Sequence, residues 1–302
     1  MTPAPDGQAD RATFSLYARL CAIPAIWGGT FIGGRIMALN LPPAFGSALR
    51  YGLACLALVA AARWLEGGLP RLNRRQALAT FGMGVTGIFV YNICFLSALS
   101  YLAASRTSLL IALSPIVTCL AAAALGERLS ATRWIGVALG LLGVWIVISR
   151  GDLTSTLTQA VGPGEALMFC GVVAWTAYTL IGRAALRGLS ALAATTYASL
   201  WGTGLLACVA AFELPRLRLD AFTPSVILST LYLGVLGTAL AFVWYSQGVQ
   251  RIGAARTVIF NNLVPVFGAC FGVLLLDEPF LASMLVGGAV AVTGVMLASR
   301  RG

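Results

Sequence analysis

Long apolar runs recur along the whole chain, and short connections with glycine, proline or charged residues separate them. A helix of about 20 apolar residues crosses the ~30 Å hydrocarbon layer of a bilayer. The runs are continuous and do not alternate with polar residues, which excludes a transmembrane β-barrel. We predict ten spanning helices, over residues 17–39, 43–62, 77–98, 104–125, 131–149, 164–186, 190–212, 224–249, 255–276 and 281–299. The predicted fold class is an all-α membrane protein.

The composition supports this class. Of the 302 residues, 59% are hydrophobic and only 10% are charged, whereas a soluble domain carries about 25% charged residues. Asp6 and Asp10 precede the first run, which has spanning length and shows no small-residue cleavage site. We therefore do not expect a cleaved signal peptide.

The positions of the arginines predict the topology. The formal net charge is +10, and all 20 basic residues are arginine. With the N-terminus in the cytoplasm, fourteen of them fall on the cytoplasmic side, including the "RLNRR" stretch at 71–75. The other six are Arg35, Arg50, Arg106, Arg150, Arg216 and Arg218. This bias predicts a multi-pass protein of a bacterial-type inner membrane with both termini cytoplasmic. The 71–75 stretch is then an anchor near anionic lipid, and we expect no nucleic-acid partner.

The seven cysteines all lie within predicted spans, and the chain contains no histidine. No cysteine has a partner at the spacing of a metal site, so we expect neither a zinc site nor disulfides. We interpret the cysteines as small apolar packing residues. The sequence predicts no cofactor.

The second half of the chain repeats the first. A shift of 148 places Trp27, Gly34 and Arg35 on Trp175, Gly182 and Arg183. A shift of 150 places Ala104, Arg106, Thr107, Leu113 and Pro115 on Ala254, Arg256, Thr257, Leu263 and Pro265. A shift of 151 places Glu127, Gly136, Ala138, Gly143 and Val144 on Glu278, Gly287, Ala289, Gly294 and Val295. The matches span most of each half, which makes chance a poor explanation.

Each copy holds five predicted spans, and because five is odd the second copy enters the membrane from the opposite side. Two inverted repeats are typical of secondary transporters, whose site lies near the midplane between the repeats. Channels, flippases and some membrane enzymes also contain repeats. We expect a cytoplasmic tail at 1–16, the first repeat at 17–149, an extracytoplasmic linker at 150–163, the second repeat at 164–299 and a cytoplasmic tail at 300–302.

The stretch "AIWGGTFIGGRIMALNLPPAFGSALRYGLACLALVAA" resembles the first two helices of the bacterial drug/metabolite transporter superfamily. The residues that carry this resemblance are Trp27-Gly28, Arg35, Pro42-Pro43 and Arg50-Tyr51. "SPIVTCLAAAALGERLSATRWIGVALGLLGV" and "VPVFGACFGVLLLDEPFLASMLVGGAVAVTGV" resemble the two copies of its signature helix pair. The resemblance implies ten helices in two inverted repeats, cytoplasmic termini and export of small metabolites or drugs. By overall likeness, the chain most resembles the inner-membrane aromatic amino acid exporters of that superfamily.

Two prolines, Pro115 and Pro265, interrupt matching helices. A proline inside a helix frees the carbonyl about one turn earlier, here near Ile111 and Asn261. Such a group is tolerated where it faces protein or a water-filled cavity. We predict that both prolines act as hinges, and that the freed carbonyls accept hydrogen bonds from the ammonium group of a substrate. The alternative is a packing kink without ligand contact.

Amides and aromatic rings in the same segments form the predicted substrate site. Asn261 and Asn262 are neighbours, about 100° apart on a helix, so at least one is expected to face the interior. Rings with polar edges suit an aromatic amino acid, with interhelical hydrogen bonding and interfacial anchoring as the alternatives. The substrate-binding candidates are Trp27, Tyr91, Asn92, Phe95, Trp175, Tyr178, Trp244, Tyr245, Asn261 and Asn262.

The remaining glycines and charged residues have other predicted roles. Gly136, Gly140 and Gly143 of the fifth span and Gly287, Gly288 and Gly294 of the tenth are expected to allow close helix packing. Glu127 and Glu278 are expected to cap helices or to pair with arginine. Arg35 and Arg50 lie near the outer span ends. Either could meet a substrate carboxylate, but snorkelling to the interface is favoured.

No acidic residue falls near the centre of a span, whereas proton-coupled carriers commonly use buried carboxylates. We predict a secondary transporter that exports aromatic and other neutral amino acids by alternating access, facilitated and without tight proton antiport. Its cavity is expected between helices 1, 3, 4, 6, 8 and 9. The alternatives are a broad drug or metabolite exporter and a channel. A scramblase or enzyme is less favoured, because no catalytic constellation is present. The expected partners are an amino-acid substrate and the bilayer, and the chain is expected to work as a monomer.

Overall fold

A computed structural model of the protein describes residues 6–124, 126, 130–152, 154, 156, 160–185, 188–252, 258–279 and 281–298. All regular structure within these ranges is helical. Eight of the described helices are long and apolar enough to cross a membrane, and two shorter apolar helices cover Phe260–Leu276 and Ala282–Ala298. The predicted all-α membrane class is confirmed, and the helices agree in number with the ten predicted spans.

The helices, numbered along the chain, contain several interruptions. Their bounds are α1 (Asp6–Asn40), α2 (Pro43–Leu65), α3 (Arg74–Tyr101), α4 (Ala104–Leu110 and Leu113–Ala124), α5 (Ala131–Ile148), α6 (Pro163–Ala185), α7 (Ala191–Glu213), α8 (Pro224–Leu231, Tyr232–Leu240 and Ala241–Ile252), α9 (Val258–Leu263 and Val264–Leu276) and α10 (Ala282–Ala298). Ser130, Ser190 and Thr223 accept a hydrogen bond from a first-turn backbone N–H and so fix the starts of α5, α7 and α8.

Helices α5 and α10 pack antiparallel through their glycines, as predicted. A Cβ on Gly143 would lie 2.3 Å from the backbone N of Ala291 and 2.6 Å from the carbonyl O of Gly287. Reciprocally, a Cβ on Gly136 and one on Gly294 would each lie 2.7 Å from the other residue's carbonyl O. Only residues without a side chain permit this approach, so the glycines set the distance between the two helices.

Two helices contain π-helical segments, Gly84–Val90 in α3 and Tyr232–Leu240 in α8. The 148-residue shift that aligns the sequence halves places residue 84 on residue 232. Side chains satisfy carbonyls within both segments: Thr238 Oγ1 donates to the Leu233 carbonyl O at 2.9 Å, and Asn92 Nδ2 donates to that of Ile88 at 2.7 Å. These bonds replace part of the regular helical pattern that a π-helical turn loses.

The prolines begin helical segments and do not kink continuous helices. Pro265 lies in the first turn of Val264–Leu276, directly after the 3₁₀ segment Val258–Leu263. Pro115 is the third residue of Leu113–Ala124. First-turn N–H groups have no partner within the helix, so a proline costs little there. The predicted free carbonyl at Ile111 is wrong, because this oxygen accepts a hydrogen bond from Ser114 N at 2.9 Å.

The connections α1–α2, α3–α4, α5–α6, α7–α8 and α9–α10 lie at one end of the bundle, which we call the far end. Glu278 joins α9–α10 to α4 by accepting from the backbone N of Ala104 at 2.6 Å and of Ser105 at 2.8 Å. Arg106 forms a 2.8 Å ion pair with Glu165 at the start of α6. The predicted capping role of Glu278 is confirmed, and Glu127 lies outside the described residues.

Further contacts complete the far end. Glu213, at the end of α7, accepts from Phe45 N near the start of α2 at 2.8 Å. Arg35, at the end of α1, donates to the Leu99 carbonyl at the end of α3. The preferred interpretation of Arg35 as a snorkelling residue is therefore wrong, since its guanidinium bonds to a neighbouring helix. All seven cysteines are free thiols.

Candidate functional site

A cavity of about 460 Å³ lies inside the bundle. On α4, Ile111 is the lining residue nearest the far end, and on α9 it is Pro265. The cavity therefore starts where the close contact between these helices stops, since Gly268 and Gly272 pack against Ser108 and Ser105 on the far-end side. Beyond the predicted helices α1, α3, α4, α6, α8 and α9, the lining also includes residues of α2, α5 and α10. The cavity reaches Arg133 and Ala298, at the end of the bundle opposite the far end.

Seven of the predicted site and hinge residues line this cavity. They are Trp27, Tyr91, Trp175, Asn261, Asn262, Pro115 and Pro265. The sequence predicts that at least one of Asn261 and Asn262 faces the interior, and in the structure both line the cavity together with Val264 and Pro265. The cavity thus contacts more than one face of α9 at the junction between its 3₁₀ and α-helical parts.

Four predicted aromatic residues lie outside the lining. Phe95 stacks on Tyr91 with ring centroids 5.8 Å apart, and Tyr178 stacks on Trp175 at 4.9 Å. Tyr245 contacts Trp27 at 5.9 Å, whereas Trp244 packs against the cluster of Leu16, Leu20, Ile23 and Ala241. The first three therefore support the lining rings from outside, and Trp244 belongs to the packing between α1 and α8.

Asn92 does not line the cavity. It is completely buried, and its amide nitrogen donates to the carbonyls of Ile88 and Gly87, at 2.7 and 3.3 Å. The structure thus assigns it to the π-helical segment of α3. The sequence suggests a site role because α3 reads as an uninterrupted helix, in which these carbonyls would already have backbone partners.

Replacing Asn92 with leucine tests this assignment. We expect the free energy of unfolding to fall by about 1 kcal/mol, since two buried carbonyls lose their donor. The KM for a transported substrate should remain within about twofold of the wild-type value, a change below 0.5 kcal/mol. Thermal unfolding in detergent and uptake kinetics measure the two quantities separately. A large rise in KM without loss of stability would instead place Asn92 in contact with the substrate.

The two tryptophans of the cavity lining differ in the hydrogen bonding of their indole N–H groups. The Trp27 indole N–H donates to the Gly237 carbonyl O at 2.9 Å, which ties α1 to the π-helical segment of α8. Trp175 stacks against Tyr178 and packs at 5.2 Å from Tyr91, and its indole N–H has no partner among the described residues. Trp27 is thus fixed by the protein, whereas Trp175 presents an unused donor beside an apolar surface.

Three lining residues carry buried polar atoms without a partner in the described part of the chain. They are Arg50 Nε, Ser114 Oγ and Asn261 Oδ1. Ser114 lies beside the interruption of α4, and Asn261 lies in the 3₁₀ segment of α9. Buried polar groups are normally hydrogen-bonded, so the site offers donors and acceptors to a polar ligand.

Arg50 corrects a second prediction. Its side chain is 94% buried and lines the cavity, with its guanidinium carbon 5.0 Å from the Tyr51 ring centroid. It does not snorkel. The sequence signal is an arginine inside an apolar run, but the direction of its side chain depends on packing. Gly234 of α8 lies so close to the Arg50 backbone that a Cβ added to Gly234 would lie 2.8 Å from the Arg50 carbonyl O.

The charged residues of the described lining are Arg50 and Arg133, and none of its described residues is acidic. Hydroxyl groups of Thr30, Thr118, Thr179 and Thr238 add further polar surface. Together with the aromatic rings, these groups suit a small amphipathic molecule that carries an anionic group.

Comparison with known proteins agrees with this architecture, a cavity inside a ten-helix bundle. The model of the EamA-like transporter family matches residues 16–149 and again residues 162–300. The chain belongs to the EamA-like transporter family. The predicted drug/metabolite transporter superfamily is thereby confirmed. Membership in this family of transporters implies a small-molecule substrate and a non-enzymatic role in a membrane.

Relatives of this EamA-like transporter span nearly its whole length. The uncharacterized transporter YyaM of Bacillus subtilis is 26% identical, over 94% of this chain and 93% of its own. A probable terminal-alkyne amino-acid exporter of Streptantibioticus cattleyicolor is 30% identical, over 91% of this chain and 90% of its own. A protein crystal structure with 20% identity covers 94% of this chain and 96% of its own, with a TM-score of 0.66. The fold is therefore shared with a solved structure.

Proposed function

We propose that this protein exports neutral amino acids, aromatic ones included, from the cytoplasm by alternating access. The observation that carries the proposal is the cavity, in which aromatic rings lie beside the unpartnered polar atoms of Arg50, Ser114 and Asn261. Its volume of about 460 Å³ falls within the range of about 300–1,000 Å³ for small-molecule sites. A relative described as a probable amino-acid exporter supports this substrate class.

The proposed substrate contacts are the lining residues. The rings of Trp27, Tyr91 and Trp175 hold the apolar side chain, and Asn261 and Asn262 contact the polar head. The ammonium group donates to Asn261 Oδ1 and Ser114 Oγ, two unpartnered acceptors beside the helix interruptions. This assignment replaces the freed carbonyls that the sequence suggested, because the Ile111 carbonyl already accepts a bond.

We further propose two inverted five-helix repeats in a bacterial-type inner membrane, with both termini cytoplasmic and the chain acting as a monomer. The two separate matches of the family model support the repeat. The π-helical segments support it too, since they fall at positions that the 148-residue shift equates. In this topology the far end is extracytoplasmic, and the cavity extends towards the cytoplasm, as expected for an inward-facing state.

Transport in this proposal is facilitated and not coupled to protons through a carboxylate. The described lining residues include no acid. The buried Glu165 is engaged with Arg106 at the far end, away from the lining. Export of cationic drugs, the main alternative, is disfavoured because Arg50, which has no counter-charge among the described residues, would repel a cation from the cavity.

Radiolabelled uptake into proteoliposomes tests the proposal. We expect saturable uptake of phenylalanine, methionine and threonine, with counterflow, and no dependence on an imposed pH gradient. Empty liposomes and the Asn262→Leu variant are the controls, and the variant should lower the flux by about tenfold, as for loss of one buried polar contact. Flux without saturation or counterflow would identify a channel. A labelled cationic drug is measured alongside: its uptake without amino-acid flux would support the broad exporter, and dependence on the pH gradient would reveal a coupling group.

A further inference from the structure

Arg50 carries a buried guanidinium inside the bundle. It lies seven residues from the start of α2 and is 6% exposed. No described residue forms a hydrogen bond or an ion pair with it, and its guanidinium carbon lies 5.0 Å from the centroid of the Tyr51 ring. By contrast, the half-buried Arg106 at the far end has both a carboxylate and a carbonyl partner.

An unpaired buried cation is costly. Removing a charge from water has a penalty of several kcal/mol that only a counter-charge or good hydrogen bonds offset. Arginine does not escape the penalty by losing its proton. A contact with the face of Tyr51 compensates only in part, at about 0.5–2 kcal/mol. The protein therefore keeps an uncompensated positive charge at the cavity wall, and an anion in the cavity would stabilise it.

The position of Arg50 is fixed by the backbone. Gly234 of the π-helical segment in α8 packs against the Arg50 carbonyl O and the Leu53 side chain. This close contact sets the rotation of α2, which directs the guanidinium inward. In the lining of the same cavity, the unpartnered atoms of Ser114 and Asn261 can accept hydrogen bonds, whereas Arg50 can only donate.

We infer that Arg50 binds the carboxylate of the transported molecule and thereby selects against amines that lack one. The inference rests on the proposed function, in which Ser114 and Asn261 bind the ammonium group of an amino acid. Arg50 then binds its carboxylate. A guanidinium presents paired N–H groups that match the two oxygens of a carboxylate. The substrate class is an amphiphile with a carboxylate at one end and an apolar group, such as an aromatic ring, at the other.

The test uses the whole protein in proteoliposomes and four competitors of one shape: phenylalanine, phenylalaninamide, phenethylamine and 3-phenylpropionate. Each is titrated against counterflow of labelled phenylalanine. In the wild type we expect the two carboxylates to compete at least tenfold more strongly than the two molecules without one. In Arg50→Met this preference should disappear, through a loss of about 10–150-fold for the carboxylates only. Arg50→Lys should retain part of it, because an ammonium keeps the charge but not the planar pair of donors.

Arg35→Met is the matched control, since it removes a guanidinium that bonds to Leu99 outside the cavity lining. It should keep the wild-type preference. The ratio between competitors is read within one preparation, so a lower amount of folded Arg50→Met does not affect it. If Arg50→Met weakens all four competitors alike, or if wild-type protein binds phenethylamine as well as phenylalanine, the inference is overturned.

Other outcomes separate this inference from the proposed function. If unlabelled thermal-shift assays show binding of 3-phenylpropionate but not of phenylalanine, with the same dependence on Arg50, amino-acid export fails and the carboxylate site stands. Phenylalanine transport with an unchanged preference in Arg50→Met leaves the function standing and removes the site. A requirement for chloride that is equal for all four competitors would assign Arg50 to an inorganic anion and overturn the inference.

Discussion

Gly143→Leu is expected to prevent the protein from assembling, because the space for a side chain between α5 and α10 is filled by backbone. Even a single Cβ would lie 2.3 Å from the Ala291 N and 2.6 Å from the Gly287 O. Overpacking of a rigid contact costs about 1–3 kcal/mol for a small group, and the longer leucine side chain forces the helices apart along their whole contact. Gly143→Ala should therefore be strongly destabilised, and Gly143→Leu should not yield a monodisperse protein.

Size-exclusion chromatography and thermal melting in detergent measure these effects. Gly204→Leu is the control, since its residue is exposed and a Cβ there would meet nothing within 4 Å. It should behave like the wild type. Ala291→Gly should not rescue Gly143→Ala, because the close atoms belong to the backbone and not to the alanine side chain. A stable Gly143→Leu protein would show that α5 and α10 separate without loss of the fold.

Removal of the Glu278 carboxylate should loosen the far end. This group accepts hydrogen bonds from Ala104 N and Ser105 N, which begin a segment of only seven residues, Ala104–Leu110. Hydrogen bonds to charged groups contribute about 1.5–3 kcal/mol. In Glu278→Ala we therefore expect the first-turn amides of α4 to exchange about 10–150-fold faster. Glu278→Gln should show a smaller change, since its amide oxygen still accepts one bond.

Hydrogen exchange followed by mass spectrometry over residues 104–110 measures this loss of protection. Asp277→Asn is the matched control. Asp277 is exposed and has a positive φ of 50°, a conformation that asparagine tolerates, and no described hydrogen bond joins its side chain to α4. Unchanged protection of residues 104–110 in Glu278→Ala would mean that helix packing alone holds α4 to the α9–α10 connection.

The membrane class and the packing glycines could be predicted because lipid imposes them locally. Hydrocarbon requires long apolar helices, and glycines spaced by three or four residues mark a close helix contact wherever they occur. The periodic glycines of α5 and α10, such as Gly136 and Gly294, could thus be assigned correctly without knowledge of their neighbours. Apolar helices of seventeen residues or more could be predicted without knowledge of the tertiary structure.

The site was harder to predict because it depends on how helices rotate and where they break. Tyr91 and Phe95 are one turn apart on α3, yet only Tyr91 lines the cavity. The bonds of Asn92 to carbonyls of its own helix have no sequence signature, because they depend on the π-helical segment. The sequence favours an interfacial Arg50, because distance from a span end does not reveal the direction of a side chain.

The prolines show that a sequence pattern can locate a helix interruption without describing its backbone. Pro115 and Pro265 do border the cavity, and the helices around them are interrupted. The interruptions, however, precede the prolines, which start the next helical segments. A proline pattern predicts a break but not which backbone groups remain free, since local 3₁₀ bonds re-form around it.

The matched π-helical segments of α3 and α8 also bear on ancestry. Each additional residue rotates the following part of a helix by about 100°, so a π-helical turn changes which side chains face inward beyond it. In a chain that arose by duplication of a gene for five helices, one insertion before the duplication accounts for both segments. Alignments between distant descendants should then show single-residue gaps at residues 84–90 and 232–240, and the descendants with such gaps would present a different helix face to their cargo.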